Sequence, residues 1–155
     1  MSILLGQPVT DFTSKTTGKN NITLSALSGS KIVLFFYPKD NTPGCTSEAL
    51  SFKTHYEAFK SDDTLIFGIS KDSMQSHEKF KKKYSLPFEL ISDTDEKLCN
   101  LFDVIKKKIL YGNEHVGIER STFLIDQAGI MQHEWRKVRI KNHVEDVLQA
   151  AQAFK

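Results

Sequence analysis

Apolar residues gather along this chain in short unbroken runs, separated by stretches with three-and-four spacing. The run Ile32-Val33-Leu34-Phe35-Phe36-Tyr37 has no polar interruption. That is the pattern of a strand covered on both faces, and Pro38 ends it. Thr64–Ser70, centred on Ile66-Phe67-Gly68-Ile69, and Phe88–Ile91 predict further inner strands. Ser121–Ile125 predicts another, with a turn at Gln127-Ala128-Gly129 returning it to a hairpin partner over Ile130–Trp135. Weaker patterns predict a short strand at Val9–Phe12 before a turn at Thr17-Gly18-Lys19-Asn20, and a strand with a short helical turn over Ile22–Leu27.

Helices are marked by their caps. Thr42 suits the N-cap of the first, Pro43 its first helical position, and Cys45 then falls at N3. Ala49, Phe52, Tyr56 and Phe59 share one face of that helix. A second helix starts near Ser73, with Met74, His77, Phe80 and Tyr84 on its inner side and Pro87 beyond its end. Asp93 with Glu96 forms a capping-box pattern, Asp replacing Ser or Thr. The helix it opens carries the stripe Leu98, Leu101, Phe102 and Ile105. Asn142 and Glu145 cap the last helix, whose face is Val144, Val147, Leu148, Ala151 and Phe154. Three strand–helix alternations followed by a hairpin and a helix predict an α/β fold: a largely parallel central sheet with an antiparallel part and helices on both sides. Thioredoxin-like folds share this layout with other small α/β sheets.

The chain has 155 residues, which fits one domain over 1–155. A domain of this size buries roughly 68–70% of its unfolded surface, so it requires no metal or disulfide staple. The net charge of +2 is too small to argue for nucleic acid or an anionic membrane. No apolar run approaches a membrane span, and Met1-Ser2-Ile3-Leu4-Leu5-Gly6 is too short for the apolar core of a signal peptide. A cytoplasmic protein in a reducing compartment is expected. Lys81-Lys82-Lys83 and Lys106-Lys107-Lys108 read as solvated faces, and Trp135 as a packing residue against the last helix. The five histidines show no ligand spacing with the cysteines. His77 and His115 lack a partner pattern, and neither a metal nor a cofactor is expected.

The two cysteines, Cys45 and Cys99, form no CxxC pair and cannot make a disulfide framework. Cys45 sits in Pro38-Lys39-Asp40-Asn41-Thr42-Pro43-Gly44-Cys45-Thr46, where an apolar strand hands over to a helix. A thiol in the first turn of a helix can be held as a thiolate, the nucleophilic form. Only about 3% of a free cysteine is thiolate at pH 7, and bringing a thiol pKa to about 6 needs roughly 3.4 kcal/mol. A helix N-terminus supplies about 0.3–1 kcal/mol, and up to about 2 when partly buried. A hydroxyl and a cation must therefore help. Thr42 can accept from an amide and donate to sulfur together. Arg120, entering the strand Ser121–Ile125, is the favoured cation because its charge is permanent and its donors fixed. Glu48 either favours the helix N-terminus or holds that arginine in place. Full ionisation raises the thiolate fraction only about 30-fold. Further acceleration requires alignment of the attacked bond and donors for the leaving oxygen. Cys99 lies one residue off the Leu98–Leu101–Phe102 stripe. It reads either as a structural, semi-buried thiol or as a possible resolving cysteine.

Phe36-Tyr37-Pro38-Lys39-Asp40-Asn41-Thr42-Pro43-Gly44-Cys45-Thr46 closely resembles the active-site motif of the bacterioferritin-comigratory, or Q-type, peroxiredoxins. Ile118-Glu119-Arg120-Ser121-Thr122-Phe123-Leu124-Ile125-Asp126 and Trp135-Arg136-Lys137-Val138 extend the likeness, which spans essentially the whole chain. The resemblance implies a thioredoxin-like fold with a central mixed sheet flanked by helices. It implies a thiol-dependent peroxidase acting on hydrogen peroxide and organic hydroperoxides through a cysteine sulfenic acid. Cys45 becomes the peroxidatic cysteine, and Thr42 and Arg120 the pair that orients peroxide. Pro38 shields the site, and Glu48 supports the arginine. Thioredoxin-like recycling and a monomeric state are also implied. Many relatives carry a resolving cysteine five residues after the peroxidatic one, where this chain has Leu50, or in the next helix, where Met74–Tyr84 has none. This departure favours a one-cysteine cycle resolved by a small thiol or a thiol protein, with Cys99 as the alternative. Two other classes fit a lone reactive thiol: a thiol–disulfide oxidoreductase, disfavoured by the missing CxxC, and a non-catalytic redox sensor.

Overall fold

In the computed structural model, which describes residues 3–18 and 20–154, two hydrophobic clusters lie on the two faces of one sheet. Its centre is β3 (Lys31–Phe36), every residue of which is buried. Successive side chains of a strand point to opposite faces. Ile32, Leu34 and Phe36 accordingly enter one cluster, and Val33, Phe35 and Tyr37 the other. β4 (Thr64–Ser70) and β5 (Glu89–Ser92) add in parallel on one side. β8 (Ser121–Ile125) and β9 (Met131–Trp135) add antiparallel on the other. The order β5-β4-β3-β8-β9 is the mixed sheet that the strand–helix alternation predicts.

The first cluster is closed by α4 (Lys97–Leu101) and by Val9, Phe12 and Leu24 from the N-terminal segment. The second is closed by α1 (Pro43–Thr54), α2 (Tyr56–Ser61), α3 (Met74–Tyr84) and α5 (His143–Gln152). Trp135 packs there too, with its ring edge-on to His143. Phe35 stacks on Phe52 of α1 at 4.5 Å between ring centroids. That stack depends on Gly68 opposite: a Cβ there would sit 2.7 Å from Phe35 Cζ and 2.8 Å from Leu90 Cδ2, closer than side chains approach.

Four local expectations are corrected. Val9–Phe12 is not a strand: Asp11 Oδ1 accepts from the Phe12 amide, Pro8 just before it makes only an isolated bridge to Ile130, and the first strand is β1 (Thr13–Lys15), paired with β2 (Asn21–Thr23). Of the turn expected at 17–20, Lys19 lies outside the described residues. The first helix breaks at His55, whose ring Nδ1 lies 2.9 Å from the Ser51 carbonyl oxygen, yet Ala49, Phe52 and Phe59 stay buried together. The capping box at Asp93 does not form. The Asp93 carboxylate accepts from the Leu98 and Cys99 amides at 2.9 and 2.8 Å, Glu96 adopts a left-handed conformation, and α4 is only five residues long. Ile105 therefore leaves the helical stripe and begins β6 (Ile105–Leu110), which pairs with β7 (Asn113–Ile118). The last helix starts at the expected place, but Asn142 makes no side-chain cap. No helix among the described residues is long and apolar enough to cross a membrane.

Candidate active site

The segment Pro38–Thr46 occupies the junction between the C-terminal end of β3 and the start of α1. Thr42 is the N-cap of α1, Pro43 opens it, and Cys45 lies in its first turn, as the cap pattern predicts. Cys45 is 2% exposed and belongs to the second cluster. One of its neighbours comes from distant sequence. β8 runs antiparallel to β3 with Ser121 opposite Phe36. Arg120, one residue earlier, therefore arrives beyond the end of β3, where α1 starts. Its Nη2 lies 3.5 Å from Cys45 Sγ, and its Nη1 donates to Glu48 Oε1 at 2.8 Å. Glu48 follows Cys45 by three residues, so both face the same side of α1, and the guanidinium bridges them.

The energetics of this triad follow from its burial. Glu48 is fully buried, and its Oε2 has no hydrogen-bond partner among the described residues. Burial pushes its carboxyl up to about 7, although the Arg120 charge and hydrogen bond pull the other way. Burial also works against the charge on Arg120, but Glu48 and Cys45 outweigh it and hold the guanidinium above its ordinary range. Gly44 keeps the approach narrow: a Cβ on it would lie 3.2 Å from Arg120 Nη2 and 3.4 Å from Ile140 Cδ1.

The other expected residues stand as follows. The Thr42 hydroxyl donates to the Lys39 carbonyl at 2.8 Å and neither caps the helix nor is bonded to sulfur. Pro38 is exposed, two residues beyond the end of β3. Of the other two arginines, Arg136 donates to the Phe102 and Asp103 carbonyls at 2.9 and 2.8 Å, and Arg139 is exposed. Cys99 is not brought to Cys45. It is fully buried in the first cluster, on the opposite face of the sheet. Burial, and next the Asp93 carboxylate, push its thiol far up.

Residues that the sequence reading missed include Ile140, at Gly44, and His143. The His143 Nε2 lies 2.8 Å from Thr122 Oγ1, and the ring is edge-on to both Phe52 and Trp135. Burial pushes His143 down to about 4; Asp146 opposes this and the Arg120 charge adds to it. The ring is therefore neutral at pH 7. Its position four and eight residues before Val147 and Ala151 is the signal that puts it on the inner face of α5. Asp40, Asp72 and His77 also converge, with ligand-type atoms within 4.8 Å of one another. No sequence spacing announces this group.

Residues 5–134 match the AhpC/TSA family. The chain is 49% identical to peroxiredoxin Bcp of Bacillus subtilis over 149 residues, 96% of this chain and 95% of that protein. Its structure is similar to that of the Xanthomonas campestris bacterioferritin comigratory protein, described for its alkyl peroxide reduction activity with trapped intermediate and ligand complexes. The TM-score there is 0.87 at 44% identity, covering 92% of this chain and 90% of that one. A cysteine mutant of Xylella fastidiosa PrxQ superposes with a TM-score of 0.92 at 38% identity, covering 97% and 96%. Motif, thioredoxin-type sheet and relatives agree: the chain belongs to the AhpC/TSA family and, within it, to the Bcp, or Q-type, peroxiredoxins.

Proposed function

We propose that Cys45 carries the thiol-dependent peroxidase activity of this peroxiredoxin and that an external thiol, rather than Cys99, completes its cycle. The observation that carries the reading is the Arg120 guanidinium, placed between Cys45 Sγ and Glu48 Oε1. It is a permanent cation in a largely dry site, where its charge is weakly screened.

The Cys45 thiolate attacks the terminal oxygen of a hydroperoxide. An S–O bond forms as the O–O bond breaks, and the departing oxygen takes a proton and leaves as water or an alcohol. Cys45 becomes a sulfenic acid. Arg120 Nη2 and the amides of the turn meet the charge developing on the leaving oxygen. The Thr42 hydroxyl exchanges its Lys39 carbonyl for the bound peroxide and aligns the O–O bond with sulfur. Pro38 and Pro43 stiffen the turn and limit water at the sulfur. Glu48 holds the guanidinium in its plane. A thiol then displaces hydroxide from the sulfenic sulfur as water, giving a mixed disulfide that a second thiol reduces.

Resolution by Cys99 would require the two Cα atoms within about 7 Å, and the central sheet separates the clusters that hold them. Hydrogen peroxide and organic hydroperoxides are the proposed substrates; the alkyl peroxide activity of the Xanthomonas campestris relative supports the second class. A thioredoxin-like protein or a low-molecular-weight thiol is the proposed reductant. The setting is a monomeric single domain in the cytoplasm. Peroxide consumption, measured with each reductant on wild type, Cys45→Ser and Cys99→Ser, tests the reading. Sustained turnover in wild type and Cys99→Ser, with none in Cys45→Ser, is expected. Turnover that disappears in Cys99→Ser refutes external resolution, and oxidation without turnover for any donor favours a redox sensor.

A further inference from the structure

Between the end of β3 and the first turn of α1, the chain is tied to α3 by a buried polar set that the peroxidase reading does not use. His77 of α3 is fully buried and Asp40 nearly so. His77 Nδ1 lies 2.7 Å from Asp40 Oδ2, and its Nε2 lies 2.9 Å from the Ile91 carbonyl oxygen. A carbonyl oxygen only accepts, so Nε2 carries a proton. The Tyr37 hydroxyl donates to Asp40 Oδ1 at 2.6 Å, and the Ser76 hydroxyl donates to Oδ2 at 2.8 Å. The Asp40 amide donates to Asp72 Oδ2 at 2.8 Å. That oxygen also takes the Ser70 hydroxyl at 2.5 Å, so the three ligand-type residues form a closed hydrogen-bonded set rather than an open cation site.

One residue on, Asn41 has a φ of 59°, a left-handed conformation that Asn tolerates well. It reverses the chain into α1. Its Oδ1 accepts from Lys83 Nζ at 3.3 Å and from the Tyr84 hydroxyl at 3.1 Å. The two ends of α3 therefore hold two successive loop residues, the first turn Asp40 and the last turn Asn41. From Asn41 the chain runs through Thr42 and Gly44 to Cys45, while Arg120 is delivered independently by β8. The distance between sulfur and guanidinium thus depends on where Asp40 is held.

We infer that His77 is a positioning residue for the peroxide step: through its bond to Asp40, it fixes the turn that sets Cys45 against Arg120. The inference rests on Cys45 being the peroxidatic residue. In this chain α1 holds no cysteine besides Cys45 and α3 holds none, so the proposed cycle does not require the turn to open toward a partner within those helices. A bolted turn suits a sulfenic acid approached by an outside thiol.

Two substitutions separate the two bonds of His77. In His77→Asn the amide nitrogen can replace Nδ1 and keep the bond to Asp40. In His77→Gln it can replace Nε2 and keep the bond to Ile91 only. Stopped-flow oxidation of the reduced protein by hydrogen peroxide, read beside thermal melting, is the test. His77→Gln is expected to lose about 10-fold or more in the second-order rate constant, because small misplacements of reacting groups cost such factors. His77→Asn should recover most of that loss, although both variants melt lower than wild type. Equal rates in the two variants, or an undiminished rate in His77→Gln, overturn the inference. Should either variant fail to fold, Tyr37→Phe keeps the packed ring and removes one donor to Asp40. It should speed amide hydrogen exchange over Asn41–Thr46 and slow peroxide oxidation together, and no change in either overturns the inference. Wild type in the same run separates the two levels. Failure of its Cys45 to oxidise refutes the assignment of Cys45, whereas normal oxidation beside an unaffected His77→Gln refutes only the role of His77.

Discussion

Cys45 and Cys99 are the same residue type in similar positions, and groups of opposite charge lie beside them. Each is buried in the early part of a helix that follows a strand of the central sheet. Cys45 opens a helix of twelve residues and meets a guanidinium. Cys99 lies in a helix of five and meets the Asp93 carboxylate, with Glu96 adding to the effect and Lys71 opposing it. Burial pushes the Cys99 thiol up and the Asp93 carboxylate adds to it, whereas the group beside Cys45 is a cation; the proposed division between nucleophile and packed hydrophobe rests on the sign of that neighbouring charge. A helix start is thus insufficient to mark a reactive cysteine. The strand that delivers the cation matters as much.

Removing that cation should have the largest effect. Arg120→Met leaves Cys45 as buried as Cys99 but without its donor. Oxidation by hydrogen peroxide should slow by about 10²–10³-fold, the range for losing one donor at a developing charge, as measured by stopped-flow kinetics. A rate within a few-fold of wild type would mean that the electrostatic contrast is not what separates the two thiols.

Glu48→Gln should act more mildly and through pH. The Glu48 carboxyl titrates at about 7. Above that value its charge shares the guanidinium with Cys45, and below it the guanidinium is left to the thiol. The pH–rate profile of wild type should therefore carry an inflection near pH 7 that is absent in Glu48→Gln. The stability effects have definite signs. For Glu48 the folded value lies above the ordinary 4.5, so its contribution is full below about 4.5 and is lost as pH rises through about 7. For His143 the folded value of about 4 lies below the ordinary 6.5. Its contribution is full above about 6.5 and is lost as pH falls toward 4. In denaturant unfolding between pH 4 and 7, Glu48→Gln should steepen the rise in stability with pH, and His143→Phe should flatten it.

The smallest effect is expected at Cys99. Cys99→Ser should leave the peroxide rate within about twofold of wild type. It should lower stability modestly, because a hydroxyl is less tolerated than a thiol in an apolar cluster.

Local chemistry made much of this legible in advance. The unbroken run Ile32–Tyr37 identified the central strand, and the Thr42-Pro43 cap located Cys45 in the first turn. The β3–β8 register that carries Arg120 to Cys45 is a long-range pairing, and no local pattern contains it. The hairpin of β6 and β7 was hidden for a different reason. It turns at Tyr111-Gly112, with φ of 54° and 79°, a two-residue geometry usually signalled by Asn-Gly or Asp-Gly. Tyr111 obscured that signal, and Lys106-Lys107-Lys108 read as a plain polar surface. Asp93 satisfied the capping-box spacing, but its carboxylate reaches the Leu98 and Cys99 amides instead, so the stripe was extended one turn too far, to Ile105. The Asp40–His77 contact joins a loop to a helix and depends wholly on the packing of α3.

The most direct test is to treat fully reduced protein with one equivalent of hydrogen peroxide, trap sulfenic acid with a selective reagent, and map the peptides without reductant. The expected result is a trapped Cys45 with Cys99 left as a free thiol. A dominant Cys45–Cys99 disulfide within monomers would contradict it.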